Sequence, residues 1–221
     1  MPAKEISMSP VASPQPQLSA RQVSTAAENF AAAQFSLYGF DVLENSGRAR
    51  FVYDLGVAKS GGMIKVMVHG SLDGFWDLVE PYLDRVPATK ADYHRAIALW
   101  LDQRGRGVVC CLVKFESHDL CRSPRIYLAS AAEIAEKLLD IVENVGVPAL
   151  CEEYQVVDAC GSRRVESLPE KWRFSETRIA DLMRSLEEEK PLRFLFSPVA
   201  KRAEYTAAQP AARLNFGPMI N

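Results

Sequence analysis

The sequence predicts an α/β fold, a mixed β-sheet flanked by helices, and three observations carry that prediction. Capping signals at Thr25, Thr89 and Ser130 open helices between segments of strand character, giving the order helix, strand, strand, strand, helix, strand. Gly107 to Phe115 (GVVCCLVKF) is a continuous apolar run of strand length, the pattern of a strand buried on both faces and so of the central strand. Phe51 to Gly70 (FVYDLGVAKSGGMIKVMVHG) reads as two strands joined through Gly61 and Gly62, whose freedom at positive φ suits a tight hairpin turn.

The elements follow in order. Thr25 and Glu28 form a capping box for a helix through Tyr38, stopped by Gly39, with Ala27, Phe30, Ala31, Leu37 and Tyr38 on its apolar side. Phe40 to Leu43 is a short strand and Asn45 to Arg48 a turn. In the hairpin, two turn glycines place Asp54 opposite His69, Gly56 opposite Met67 and Ala58 opposite Lys65. Leu55, Val57, Ile64, Val66 and Val68 then share the opposite face, toward the core. A slip of one residue would scatter this apolar set over both faces. The segment from Gly70 to Ala88 reads as a loop whose aromatics Phe75, Trp76 and Tyr82 look exposed and are placed to cover the polar face of the hairpin. Thr89 with Asp92 opens a second helix ended by Gly105, and Ser130 with Glu133 opens a third, through about Val142, after a strand from Arg125 to Ala129. CEEYQVVDA, from Cys151, reads as an edge strand. KWRF, residues 171 to 174, plugs the core with its two aromatics, and Ser175 caps a last helix to about Glu189.

With 221 residues the chain is long enough for one domain with appendages. The expected division is a disordered tail over 1–20, a core over 21–143, an extension packing on it over 144–190, and an extended tail over 191–221. A net charge of -2 argues against a protein that coats nucleic acid through many phosphate contacts. Five cysteines at irregular spacing form neither a metal knuckle nor an even disulfide framework. No apolar run has the ~20 residues a membrane span needs, and no export signal opens the chain, so a soluble cytoplasmic protein is expected. Glycine-rich phosphate loops, HExxH and GxSxG are missing in the context that gives them meaning, which disfavours small-molecule cofactor enzymes.

The element order over about residues 24–143 resembles the restriction-endonuclease-like fold of the PD-(D/E)xK nuclease superfamily. The segments YDLGVAKSGGMIKVMVHGSLDG, DYHRAIALWL, PRIYLAS and LPEKWRFS are similar to an uncharacterised bacterial group within it. The resemblance implies a divalent metal, Mg²⁺ or Mn²⁺, held by an aspartate and a following acid, a lysine near the scissile phosphate, and DNA as partner. Members that cut both strands often work as homodimers. Asp54 takes the aspartate's place. Met67 falls where the second acid should be, a poor ligand for a hard cation, and His69 falls where the lysine should be. The carry-over makes Asp54 a metal ligand, His69 the group that activates water, and Lys65 a migrated cation that bends toward Asp54 past small Gly56 and Ala58. Glu28 stands where many members carry a supporting glutamate, as a second metal carboxylate or as the capping partner of Thr25. Two other readings of Asp54 and His69 stay open: together they hold Mn²⁺ or Zn²⁺, or they hydrogen-bond each other as an inert pair.

The function implied is that of a nuclease-like protein related to metal-dependent DNA phosphodiester hydrolases, with an altered active site. The alternative is a catalytically inactive nuclease fold that binds nucleic acid or protein, through the aromatic loop or the Phe194 to Phe196 tail. His94 reads as a helix-surface residue, and His118 and Asp119 as turn residues. Cys110 and Cys111 read as small hydrophobes on opposite faces of one strand. Arg48, Arg50, Arg85, Lys90, Arg104, Arg106, Arg122 and Arg125 read as scattered solvated charge.

Overall fold

A computed structural model of the chain describes residues 18–45, 53–84, 88–105, 107–116, 122–157 and 163–188. The described residues all lie in a unit that ends at Glu188; a second unit, Glu189–Asn221, lies outside them, as do residues 1–17 of the tail expected over 1–20 and the loop around Arg48 and Arg50.

Helix α1 spans Ala20–Leu37 and starts earlier than the Thr25 signal suggests, because Ser19 and Gln22 form the capping box. Thr25 and Glu28 sit inside the helix, so the capping role of Glu28 is corrected. Gly39, at φ +76°, turns the chain out of the helix into β1, Asp41–Glu44. Strands β2, Leu55–Lys59, and β3, Gly62–Ser71, pair antiparallel with Gly56 opposite Lys65, Val57 opposite Ile64 and Ala58 opposite Met63. The turn residues are Ser60 and Gly61, at φ 53° and 86°, and Gly62 begins the strand. The pairing therefore lies two residues from the expected one, and Asp54 is not opposite His69. Side-chain direction repeats every two residues, so this shift preserves the face of every residue, and Leu55, Val57, Ile64, Val66 and Val68 are all buried as expected.

Beyond β3 come β4, Phe75–Trp76; α2, Lys90–Arg104; β5, Val108–Lys114; β6, Arg125–Ser130; and α3, Ala131–Asn144. Then follow β7, Leu150–Cys151; β8, Glu153–Val157; β9, Arg163–Ser167; and α4, Glu176–Glu188. The main sheet has the order β1-β2-β3-β5-β6, with β3 and β5 parallel and the other neighbours antiparallel. A parallel pair needs a long crossover, and α2 supplies it. The fold is thus α/β, a mixed five-stranded sheet flanked by helices. β3, not β5, is the middle strand; β5 is buried on both faces because β3 and β6 flank it and helices cover both sides. The expected edge strand at CEEYQVVDA divides instead between β7, which pairs with β4, and β8, which pairs with β9 in a separate ribbon.

Two cores sandwich the sheet. On one face, α1 and α4 bury Ala27, Ala31, Phe35, Ile179 and Leu182 over Val57, Val66 and Cys111. On the other, α2 and α3 bury Ile97, Trp100, Ile134 and Leu138 over Cys110 and Leu112, together with Trp76, Leu150 and Trp172. α1 meets β3 so closely at Gly70 that a Cβ there would lie 2.8 Å from both the Val23 carbonyl oxygen and the Ala27 Cβ. No helix among the described residues is long and apolar enough to cross a membrane.

Candidate functional site

The β2–β3 ladder ends at the pair Leu55 and Val66, and Asp54 is the first residue beyond it. Its N–H donates to the Val66 carbonyl at 2.9 Å, and its Oδ2 accepts the Val68 N–H at 2.7 Å. The carboxylate is therefore pinned where the two strands part. The close approach of α1 at Gly70 brings Glu28 to the same place. Glu28, Asn29, Glu44, Asn45, Asp54 and Leu55 line a cavity of about 150 Å³. Glu28 accepts a hydrogen bond from Ser24 Oγ at 3.0 Å, one helical turn away. No lysine or arginine among the described residues forms an ion pair with Glu28, Glu44 or Asp54.

A hard divalent cation requires oxygen donors, and carboxylates and asparagine side chains are the polar side chains this cavity offers. Asp54 and Glu28 fit such an ion by donor type. Met67, only 6% exposed, contributes no oxygen, and among the described residues no three Asp, Glu, His or Cys side chains converge as a complete metal site.

The other expected site residues stand apart from this cavity. His69 is half-buried, with Nε2 sealed from solvent and without a hydrogen-bond partner. Burial, helped by the nearby Arg104 charge, lowers its pKa to about 4, so the ring is neutral at neutral pH and cannot replace a lysine's charge. The inert Asp54–His69 hydrogen bond is not formed: Val68 takes the carboxylate, and the imidazole nitrogen is left alone. Lys65 is exposed and does not bend to Asp54; its Nζ stands 5.4 Å from the centre of the Tyr53 ring. Ser24, His69, Gly70, Phe75, Trp76 and Leu78 contribute to a second cavity of about 210 Å³. Ser24 thus faces one cavity while its hydroxyl bonds Glu28, which faces the other. Trp76 is buried at 3% exposure, a correction to its exposed appearance, and its Nε1 donates to the His69 carbonyl at 3.1 Å. The loop does cover this end of the hairpin's polar face, with Phe75 left 44% exposed.

His94 is on the surface, 3.0 Å from Glu143. Cys110 and Cys111 point into opposite cores, and burial pushes the Cys110 thiol up to about 12 and that of Cys111 higher still. Arg85, Arg106, His118, Asp119 and the Phe194 to Phe196 tail lie outside the described residues. Sequence reasoning missed Glu44 at the carboxylate cavity, where a strand-end acid carries no signal of its own. It also missed Glu152, 5% exposed, whose carboxylate accepts from Arg125, Lys114 at 2.7 Å and Tyr127 at 2.6 Å. Burial would raise the Glu152 pKa, but these donors outweigh it and hold it at about 2.

No protein-family model matches the chain, and no curated protein matches it. Among solved structures, it is similar to a bacterial homing endonuclease at 14% identity, over 79% of this chain and 98% of the other, with a TM-score of 0.35. The site rests on this chain's own geometry.

Proposed function

We propose that the chain is a nuclease-like protein of PD-(D/E)xK type, related to metal-dependent DNA phosphodiester hydrolases, with an altered active site at the fork of β2 and β3. The observation that supports this reading best is the cavity that Asp54, Glu28 and Glu44 line, none of them in an ion pair with a lysine or arginine among the described residues. Asp54 and Glu28 would hold Mg²⁺ or Mn²⁺. When bound, such an ion supplies Lewis-acid stabilisation of a phosphate oxygen and a more acidic water. The chain's own contribution is positional: the Val68 N–H fixes the Asp54 carboxylate, and the Ser24 hydroxyl steadies Glu28. Lys65, exposed beside the fork, is placed to attract a nucleic-acid backbone. His69, neutral and sealed at Nε2, lines the second cavity and is unsuited to activate water at the fork.

A second reading is favoured by one observation: Met67, which the resemblance sets in the place of the second acid, is a buried thioether that offers no oxygen to a metal. In this reading the fold binds nucleic acid or protein without cutting. The test is incubation of the full chain with supercoiled, linear and single-stranded DNA and with RNA, in Mg²⁺ or Mn²⁺, beside Asp54→Ala and Glu28→Gln. Metal-dependent cleavage lost in both variants supports the nuclease. Salt-sensitive binding without cleavage supports the binding module, and cleavage that survives Asp54→Ala defeats the site assigned here.

A further inference from the structure

Two hydrogen bonds tie the second cavity to the carboxylate cavity. Ser24 lines the second and gives its hydroxyl proton to Glu28 of the first at 3.0 Å; Val68 lines the second and gives its N–H to Asp54 of the first at 2.7 Å. Four residues of helix rise about 6 Å, so the two cavities follow one another along α1 at a single turn's spacing. The second cavity, of about 210 Å³, is smaller than the roughly 300–1,000 Å³ that bury a whole drug-sized ligand, and suits one ring-sized group of something larger.

Its lining offers acceptors beside an aromatic rim. Asp77 brings a carboxylate steadied at Oδ1 by the Glu80 N–H at 3.1 Å, and Ser24, its proton committed to Glu28, presents lone pairs. Phe75 lines the same cavity and is 44% exposed, so its ring stands at the mouth. Its backbone is nonetheless fixed: the N–H donates to Ser71 Oγ at 3.1 Å and Asp73 Oδ1 at 3.0 Å, and the residue pairs with Cys151 of β7. An aromatic face held rigidly in water is ready for a planar partner, because little ordering remains to be done when one stacks on it.

We infer that this cavity receives one unpaired nucleobase of a strand whose backbone passes the fork, with Phe75 as the stacking face and Asp77 and Ser24 as acceptors for an exocyclic amino group. A base held in a duplex exposes neither its face nor its Watson–Crick edge, so the substrate class is single-stranded or locally unpaired nucleic acid. Cytosine carries the amino group and thymine does not. The choice of a nucleobase rests on the nucleic-acid reading proposed above; a basic peptide side chain would meet the same acceptors, and the test includes its chemistry.

The test is fluorescence anisotropy of dye-labelled oligo-dC and oligo-dT, each of about ten nucleotides, with the full chain in a chelating buffer free of metal. The natural chain binds oligo-dC about tenfold more tightly than oligo-dT. Phe75→Leu, which keeps apolar bulk, weakens oligo-dC binding by about tenfold, and Phe75→Tyr, which keeps the ring, restores it. Asp77→Asn narrows the preference for oligo-dC over oligo-dT. Equal affinities in Phe75→Leu and the natural chain, no preference between the two strands, or no binding of either overturns the inference. So does release of the probe by agmatine, a free guanidinium, but not by deoxycytidine at matched ionic strength. Cleavage is scored separately in Mn²⁺. Oligo-dC bound through Phe75 yet left uncut defeats the nuclease reading and keeps the base site. Metal-dependent cleavage of duplex and single strand alike, undiminished in Phe75→Leu, keeps the nuclease and overturns the base site.

Discussion

Around Glu152 each charge has its counter-charge, whereas around Asp54 the carboxylates pair with no cation among the described residues. Lys114, Arg125 and Tyr127 converge on Glu152, and Arg125 continues to Glu116, so the network is closed at the ends of β5 and β6. At the β2–β3 fork, Asp54 takes a backbone N–H and Glu28 a serine hydroxyl, and Glu44 shares their cavity without a cation among the described residues. The difference separates structure from function. A closed network holds β7 against the sheet and asks for nothing further, while like charges left facing a cavity raise the free energy of the empty protein and lower it when a cation arrives.

Glu152→Ala removes the shared counter-charge of two cations, and the expected loss is about 2–3 kcal/mol in urea unfolding, below the ~3–5 kcal/mol of a fully buried pair because Arg125 reaches solvent. A loss under ~0.5 kcal/mol would mean that the network is ornamental. The same carboxylate sets an acid limit. Its folded pKa of about 2 lies below the unfolded value of 4.5, so its contribution is complete above pH 4.5 and fades as pH falls toward 2. Urea midpoints measured across that window should drop more steeply for the natural chain than for Glu152→Ala.

Gly70→Ala probes the link between the two regions and the sheet. The added Cβ collides with Val23 and Ala27, so α1 must lift. About 1–3 kcal/mol of stability should go, and Glu28 should leave the Asp54 cavity with it. Unchanged stability together with unchanged Mn²⁺ binding would show that α1 docking does not place Glu28. His69→Leu gives the smallest effect. It removes an unpartnered Nε2, so stability near pH 7 should stay level or rise by up to about 1 kcal/mol. Because the folded pKa of about 4 lies below the unfolded 6.5, His69 costs the natural chain stability as pH falls from 6.5 to 4, and the leucine variant should lose that slope.

The sequence made some of this legible and hid the rest for identifiable reasons. Thr89 with Asp92 and Ser130 with Glu133 announced α2 and α3 because a capping box is local chemistry, and both boxes form. Thr25 with Glu28 has the same spacing inside α1, where the true start is Ser19, so the pattern alone could not separate them. The faces of β2 and β3 were readable because alternation fixes parity. The register was not, because a two-residue shift keeps parity and Ser60 takes a positive φ that residue type does not advertise. Asp54 and Glu28 were found through the family resemblance and do line one cavity, while His69 and Lys65, assigned through the same resemblance, do not line it. The Glu152 network was invisible because Lys114 and Arg125 lie far from it along the chain, and only the fold brings them together.

The carboxylates of the fork, unpaired with any cation among the described residues, are tested most directly by a Mn²⁺ titration of the full chain followed by electron paramagnetic resonance. One site is expected in the natural chain, weakened at least tenfold by Glu28→Gln and by Asp54→Asn, with the urea stability of both variants within ~0.5 kcal/mol of the natural chain. Mn²⁺ bound with unchanged affinity by both variants, or not bound at all, would contradict it.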